Sequence, residues 1–326
     1  MGRKKEYILL IVLIIGLGVF IWKDKTDQMH YQLPTLQELS PAEVTKVQLG
    51  QDEKSATLLQ TDDQTWVLEQ DNFPANTAQV EKILQAVADL SLSAMVSESE
   101  QYARYDLTEP KVIEVKAWSE GELKRHFFVG KAASTYQNSY IRMDGDPAVY
   151  MAQSNLRLPL NQDASSLRDK TVLTFSPKDI TRITLTTPKE SVHLSMQEMD
   201  KDFAAQNGTR PKPEPVWQKA TGQEMDTAQV NALLDHLSGL KCARYLLDTS
   251  GKDLGPASMH ILLQGEKAHD LKIYSQALSS EEGTAATSSK RSYPFVLSAY
   301  NGKQILKKCK PFLSETAPTD PPDSQE

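Results

Sequence analysis

The feature that most constrains this chain is that it contains one of its own segments twice. "SPAEVTKVQL", Ser40 to Leu49, returns as "SPKDITRITL", Ser176 to Leu185, keeping Ser-Pro, an acid, two β-branched positions, Thr, a base and a final Leu. Further matches follow in the same order. Trp66 in "TWVLE" answers Trp217 in "VWQKA", and each precedes a "TAQV", at Thr77 to Val80 and Thr227 to Val230. A shared four-letter word alone is expected by chance a few tenths of a time, on the order of ordinary residue usage. The neighbours decide the matter. Ile83, Leu84, Val87 and Leu90 match Leu233, Leu234, Leu237 and Leu240 without a gap, and Asp106, Leu107 and Pro110 match Asp253, Leu254 and Pro256. Ile113, Val115 and Ala117 then answer Met259, Ile261 and Leu263. A chain of 326 residues has room for two such units.

The physics of TAQV is ordinary. Asn76 or Thr77, and Asp226 or Thr227, can cap a helix whose apolar stripe is Val80, Ile83, Leu84, Val87 and Leu90. A binding role for Gln79 or Gln229 is the less favoured alternative. Around the helix, Val44, Val47 and Leu49, Thr65 to Leu68, Val112 to Ala117, and Phe127 to Val129 show the period of half-buried strands. "MDGDP", Met143 to Pro147, reads as a hairpin turn. A calcium role for Asp144 and Asp146 is poor, because no downstream Glu completes a loop. The second unit adds two polar, loop-like insertions, "EMDKDFAAQNGTRPKPEP" before Trp217 and "QALSSEEGTAATSSKR" after Tyr274. The expected fold is α+β: an N-terminal transmembrane helix, then two duplicated units, each one helix packed on a mainly antiparallel sheet.

The transmembrane helix is read from "YILLIVLIIGLGVFIW", Tyr7 to Trp22, uncharged and nearly all aliphatic. As a helix it spans roughly 24 Å, somewhat short of the ~30 Å hydrocarbon core. Lys5 and Lys23 can snorkel, and Tyr7 and Trp22 sit where interfacial aromatics belong. A cleaved signal peptide competes, but "KDKTDQMH" after Trp22 lacks the small residues of a cleavage site. A buried core helix is the third alternative. Arg3, Lys4 and Lys5 before the span outweigh the balanced charges after it, which keeps the N-terminus cytoplasmic and the bulk of the chain periplasmic or otherwise extracytoplasmic. The expected organisation is residues 1–23 as basic start and anchor, 24–39 as linker, 40–159 as first unit, 160–175 as connector, 176–313 as second unit, and 314–326 as a disordered acidic tail.

A net charge of −7 argues against a nucleic-acid partner. The six histidines, His30, His126, His193, His236, His260 and His269, lack metal-ligand spacing, and 15 glycines offer little for a phosphate-cradling loop. No catalytic, cofactor-binding or metal-binding residues are assigned, and no cofactor is expected. The densest polar cluster between the units is "LRDK", where Arg168, Asp169 and Lys170 are either an inter-unit hinge, the favoured reading, or a contact for a partner. Trp66, Trp118 and Trp217 suit core positions better than a glycan groove, because Trp66 and Trp217 recur in the duplicated fold. Cys242 and Cys309, in an oxidising compartment, are considered as a disulfide against two buried thiols.

The order of "TWVLE", the TAQV helix, "YDLTEP", "FFVGK" at Phe127 to Lys131, "SYIRMDGDPAVYM" at Ser139 to Met151 and "SLRDKTVLTF" at Ser166 to Phe175 resembles a bacterial family filed as domain of unknown function 4340. The resemblance implies a membrane-anchored extracytoplasmic protein, and some members are similar to products encoded beside gliding-motility-type ABC transporter subunits. It implies no catalytic residues. The second unit has Ile273-Tyr274-Ser275 in place of Val-Gly-Lys, which sets Gly130 apart. Two function classes follow. The first is a non-enzymatic accessory protein engaging a transporter or envelope complex. The second is an envelope glycan-binding module, or an enzyme whose site is assembled from distant residues.

Overall fold

The structure, a computed structural model, describes residues 13–19, 31–198, 215–274 and 283–313. Of the expected membrane span only helix α1, residues 13–19, falls among them, and the acidic tail lies outside. Among the described residues no helix is long and apolar enough to cross a membrane. The chain divides into two compact units, Met1–Asp169 and Lys170–Glu326, a division falling inside the segment read as a connector.

The first unit runs β1 (Lys46–Gln51), β2 (Lys54–Gln60), β3 (Trp66–Leu68), β4 (Phe73–Pro74), α2 (Thr77–Ala88), β5 (Leu92–Ser97), β6 (Ile113–Ser119), β7 (Glu122–Ala132), β8 (Ser139–Met143) and β9 (Val149–Ala152). Two helical turns follow, α3 (Arg157–Leu160) and α4 (Ala164–Leu167). Its strands form one antiparallel sheet in the order β4-β3-β2-β1-β6-β7-β8-β9-β5. The second unit runs β10 (Arg182–Thr186), β11 (Ser191–Glu198), β12 (Pro215–Lys219), α5 (Thr227–Leu237), β13 (Arg244–Tyr245), β14 (Met259–Gln264), β15 (Ala268–Tyr274), β16 (Thr284–Ser288), β17 (Arg291–Leu297) and α6 (Ala299–Cys309). Its order is β12-β11-β10-β14-β15-β16-β17-β13. Apart from the two-residue β4, the two sheets have the same strand order, element for element.

The register makes the correspondence specific. Val47 faces Leu58 and Ala117, and Ile183 faces Leu194 and Leu263. Trp66 faces Gln60, two residues beyond Leu58, and Trp217 faces Met196, two residues beyond Leu194. The sequence matches are therefore spatial matches. The helix stripe is buried in both units, as Val80, Ile83, Leu84 and Val87 and as Val230, Leu233, Leu234 and Leu237. Each such side chain contributes roughly 1.5 to 3 kcal/mol by leaving water. The caps are Asn76, accepting from the Gln79 amide at 3.2 Å, and Asp226, accepting from the Ala228 amide at 2.9 Å.

Two expectations need correction, and one strand goes unread in the sequence. The second unit carries a second long helix, α6, where the first has only the turn α3. The stretch Lys54–Gln60 forms β2, whose polar start hid its strand character. The insertion after Tyr274 is not all loop, because Thr284–Ser288 pairs with both β15 and β17. Its small residues carry little hydrophobic signal, yet Ala285 and Ala286 are fully buried. The Met143 to Pro147 hairpin joins β8 to β9 as expected, with Gly145 at φ 74°.

Candidate functional site

The connector cluster is absorbed by the fold. Arg168 donates to Asp71 Oδ2 from Nε at 3.1 Å and from Nη2 at 2.5 Å, with its guanidinium 5.6 Å from the Phe73 ring centre. The Asp169 amide donates to the Pro74 carbonyl at 2.8 Å, and the Lys170 carbonyl accepts from the Cys242 amide at 2.8 Å. Arg168 and Asp169 are thus tied to the first unit and Lys170 to the second. The Cys242–Cys309 bond is not made in this structure, where both are free, buried thiols. Burial pushes both thiols up, Cys309 to about 12.

Of the histidines, His30 lies outside the described residues. His193 Nδ1 meets Thr184 Oγ1 at 3.1 Å, and the His269 ring lies 5.4 Å from that of Phe175. Burial, then the charge of Lys308, holds His236 below its ordinary range. His126 and His260 enter matched pairs on the sheet faces. His126 Nε2 is 2.8 Å from Glu114 Oε1, and His260 Nε2 contacts Asp270 Oδ2. Lys116 faces His126 and Leu262 faces Asp270, while Glu114 and His260 each lie two residues before those partners. The two pairs therefore use the same two sheet positions with acid and histidine exchanged. His126 Nδ1 also reaches Asp144 Oδ2 at 3.0 Å, and Lys116 Nζ reaches Glu114 at 2.8 Å. Burial pushes the Glu114 carboxyl up, but the hydrogen bonds from Lys116 and His126 outweigh it and leave it below its usual value. The other turn carboxylate, Asp146, accepts from the Ala148 amide and the Tyr150 hydroxyl. Among the described residues no group of three or more His, Cys, Asp or Glu is placed to hold a metal ion.

A groove of about 830 Å³ lies in the first unit, between the outer side of α2 and the chain leaving β9. The cap-and-stripe arrangement that buries Val80, Ile83 and Val87 turns Gln79, Lys82 and Gln85 toward this groove. The facing wall presents Gln153, Ser154 and Asn155, followed by Leu158, which is 75% exposed. That wall is held from behind. Asn155 Nδ2 donates to the Tyr136 carbonyl at 2.9 Å, and its Oδ1 accepts from Ser139 Oγ at 3.2 Å. Arg157 donates to the carbonyls of Gly130 at 3.0 Å and Lys111 at 2.9 Å. Amides and hydroxyls on a braced wall opposite a helix can hydrogen-bond a polar, extended ligand. Sequence reading touched this site only through Gln79, because its other residues lie far apart and follow no motif.

A second concavity, about 540 Å³, is lined by residues 36–40, the end of α2 and Arg125. Arg125 is 4% exposed and donates to the carbonyls of Lys124 and Gln37, while its Nε has no partner among the described residues. Burial lowers its pKa. The carbonyl bonds make it a clamp on the lead-in to β1.

Compared with known proteins, residues 66–258 match a family model described as a domain of unknown function (DUF4340). The match starts at Trp66 in the first sheet and ends just before β14 in the second, so it takes in parts of both units. No curated protein and no solved structure matches the chain.

Proposed function

The chain belongs to the family described as a domain of unknown function (DUF4340), and from that premise we propose a non-enzymatic accessory protein, anchored in the membrane and working by contact outside the cytoplasm. The anchor is Tyr7 to Trp22, with Arg3, Lys4 and Lys5 on the cytoplasmic side. The partner is a protein complex of the envelope, of the ABC-transporter kind implied by the sequence resemblance.

The observation that carries this reading is the braced groove between α2 and residues 153–162. Its size is that of a ligand site, and its lining of amides, hydroxyls and Lys82 suits hydrogen bonding to a partner segment. The same lining also fits the hydroxyls of a glycan, which keeps a glycan-binding module as the second reading.

Co-purification of the full chain in mild detergent distinguishes them. Lys82→Glu combined with Gln153→Ala is expected to reduce recovery of the partner complex at least tenfold while the chain's abundance and helicity stay unchanged. Recovery of an unchanged complex by the double variant overturns the groove reading. A chain that purifies alone but is retained on immobilised peptidoglycan fragments replaces it with the glycan reading.

A further inference from the structure

We infer that the outward face of α6 docks on an anionic membrane surface. α6 starts under Ser298, whose Oγ accepts from the Asn301 amide at 3.2 Å, and buries Gly302, Ile305 and Cys309 in the second unit. Gly302 is required by this packing, since a Cβ there would lie 2.4 Å from Thr284 Oγ1. Side chains three and four residues apart share a helix face. The opposite side therefore carries Tyr300, 67% exposed, with Lys303, Lys307 and Lys310, all exposed.

The charge of this face is out of keeping with the chain. The whole sequence has net charge −7, whereas residues 299–313 hold four lysines and no acidic residue. Among the described residues, none of Lys303, Lys307 and Lys310 enters an ion pair. The helix dipole accounts for Lys307 and Lys308, in the last turn, and for Lys310, at the C-cap, but not for Lys303, in the middle of the helix, where a cation gains nothing from it. Folding thus leaves the charge of Lys303 unexplained, on the face that also exposes Tyr300.

The shape selects the occupant. A helix side is convex, and lysines are point charges on long stems, suited to a plane of phosphate headgroups rather than to one oriented carboxylate. An exposed Tyr at the end of the row has the amphipathic ring that partitions to a bilayer interface. The inference rests on the membrane tether proposed above only for placing the unit within reach of a bilayer.

The test reconstitutes the full chain in vesicles of phosphatidylcholine alone, or with one third phosphatidylglycerol, and reads acylation of individual lysines by mass spectrometry. With roughly fivefold in binding for each surface lysine, Lys303, Lys307 and Lys310 are expected to react at least tenfold more slowly in the anionic vesicles, and Lys82 equally in both. The protection should vanish in about 1 M salt, where screening acts within about 3 Å. Equal rates in the two vesicles, with the chain retained by both, overturn the inference and leave the tether standing. A chain retained only by the anionic vesicles, and released by Lys303→Gln, Lys307→Gln and Lys310→Gln together, supports the helix contact and sinks the tether. Protection by an added acidic peptide without protection by anionic vesicles assigns the face to a protein and overturns it as well.

Discussion

Asp270 stands in the second sheet where His126 stands in the first. Each reaches across to the neighbouring strand, His126 to Glu114 and Asp270 to His260, so duplication has kept an acid–histidine pair while exchanging its ends. Such an exchange is tolerated when the role is cross-strand pairing, which depends on complementary side chains and not on which strand supplies each.

Among the described residues neither His260 nor Asp270 enters a second ion pair, so the pair should bear a second exchange. His260→Glu and Asp270→His alone are each expected to cost up to about 1 kcal/mol, and together to recover most of that loss. Urea unfolding of the four chains in a double-mutant cycle measures this. A double variant as unstable as the sum of the singles would refute the pairing role.

Gly130 marks where the units differ. A Cβ there would lie 2.2 Å from the Tyr105 carbonyl and 3.0 Å from Leu107 Cγ, whereas the equivalent position on β15 is Tyr274. Gly130→Ala is expected to destabilise by about 1 to 3 kcal/mol, the usual cost of overpacking. A melting temperature unchanged within error in calorimetry counts against this packing.

Much of the frame was legible from the residues. The two caps, the likeness of the two units, and the correspondence of Val115 and Ala117 with Ile261 and Leu263, which face matching positions of β1 and β10, follow from period and repeat, whereas the order of the strands does not. What was hidden had a physical reason in each case. β16 is built from Thr, Ala and Ser, and α6 shows few apolar positions among its lysines, so neither gives a strong periodic signal. The groove was hidden because Gln79, Lys82 and Gln153 meet only once α2 lies beside the chain leaving β9.

Arg168 is paired within the first unit, in line with the structural reading of its cluster. Its side chain is 14% exposed and paired with that of Asp71, 20% exposed. Arg168→Glu would set two carboxylates against each other and leave Asp71 without its partner, at a cost of about 3 to 5 kcal/mol for a buried pair broken on one side. Arg168→Met should cost less, by removing the charge without opposing it. Chemical denaturation of both variants checks the ranking, and equal stability of Arg168→Glu and the parent would overturn the structural role.

Tyr150 gives a pH signature. Burial, then its hydrogen bond to Asp146, raises its phenol to about 12, so the folded chain favours the neutral form. The stabilisation is therefore full below the unfolded value near 10 and is lost as pH rises through about 12. The stability advantage of the parent over Tyr150→Phe should be flat up to about pH 10 and then fall. An advantage that persists unchanged above the folded value contradicts the assignment.

The two cysteines test whether an oxidising compartment decides their state. The thiolate is the attacking species in disulfide formation, and burial raises both thiols, Cys309 to about 12 at 0% exposure. Oxidation then requires the second unit to open, so the folded chain should keep two thiols, unreactive to a thiol-specific dye until denaturant is added. A disulfide closing this loop would add roughly 4 kcal/mol in the chain-entropy model, and its reduction would lower the melting temperature by several degrees. Reductant is expected to leave the melting temperature unchanged. Cys309→Ser should destabilise more than Cys309→Ala, because a hydroxyl in this apolar setting costs about 1 to 3 kcal/mol if it finds no partner. A Cys242–Cys309 cross-link in a non-reducing peptide map of chain taken from its native compartment would overturn the free-thiol assignment.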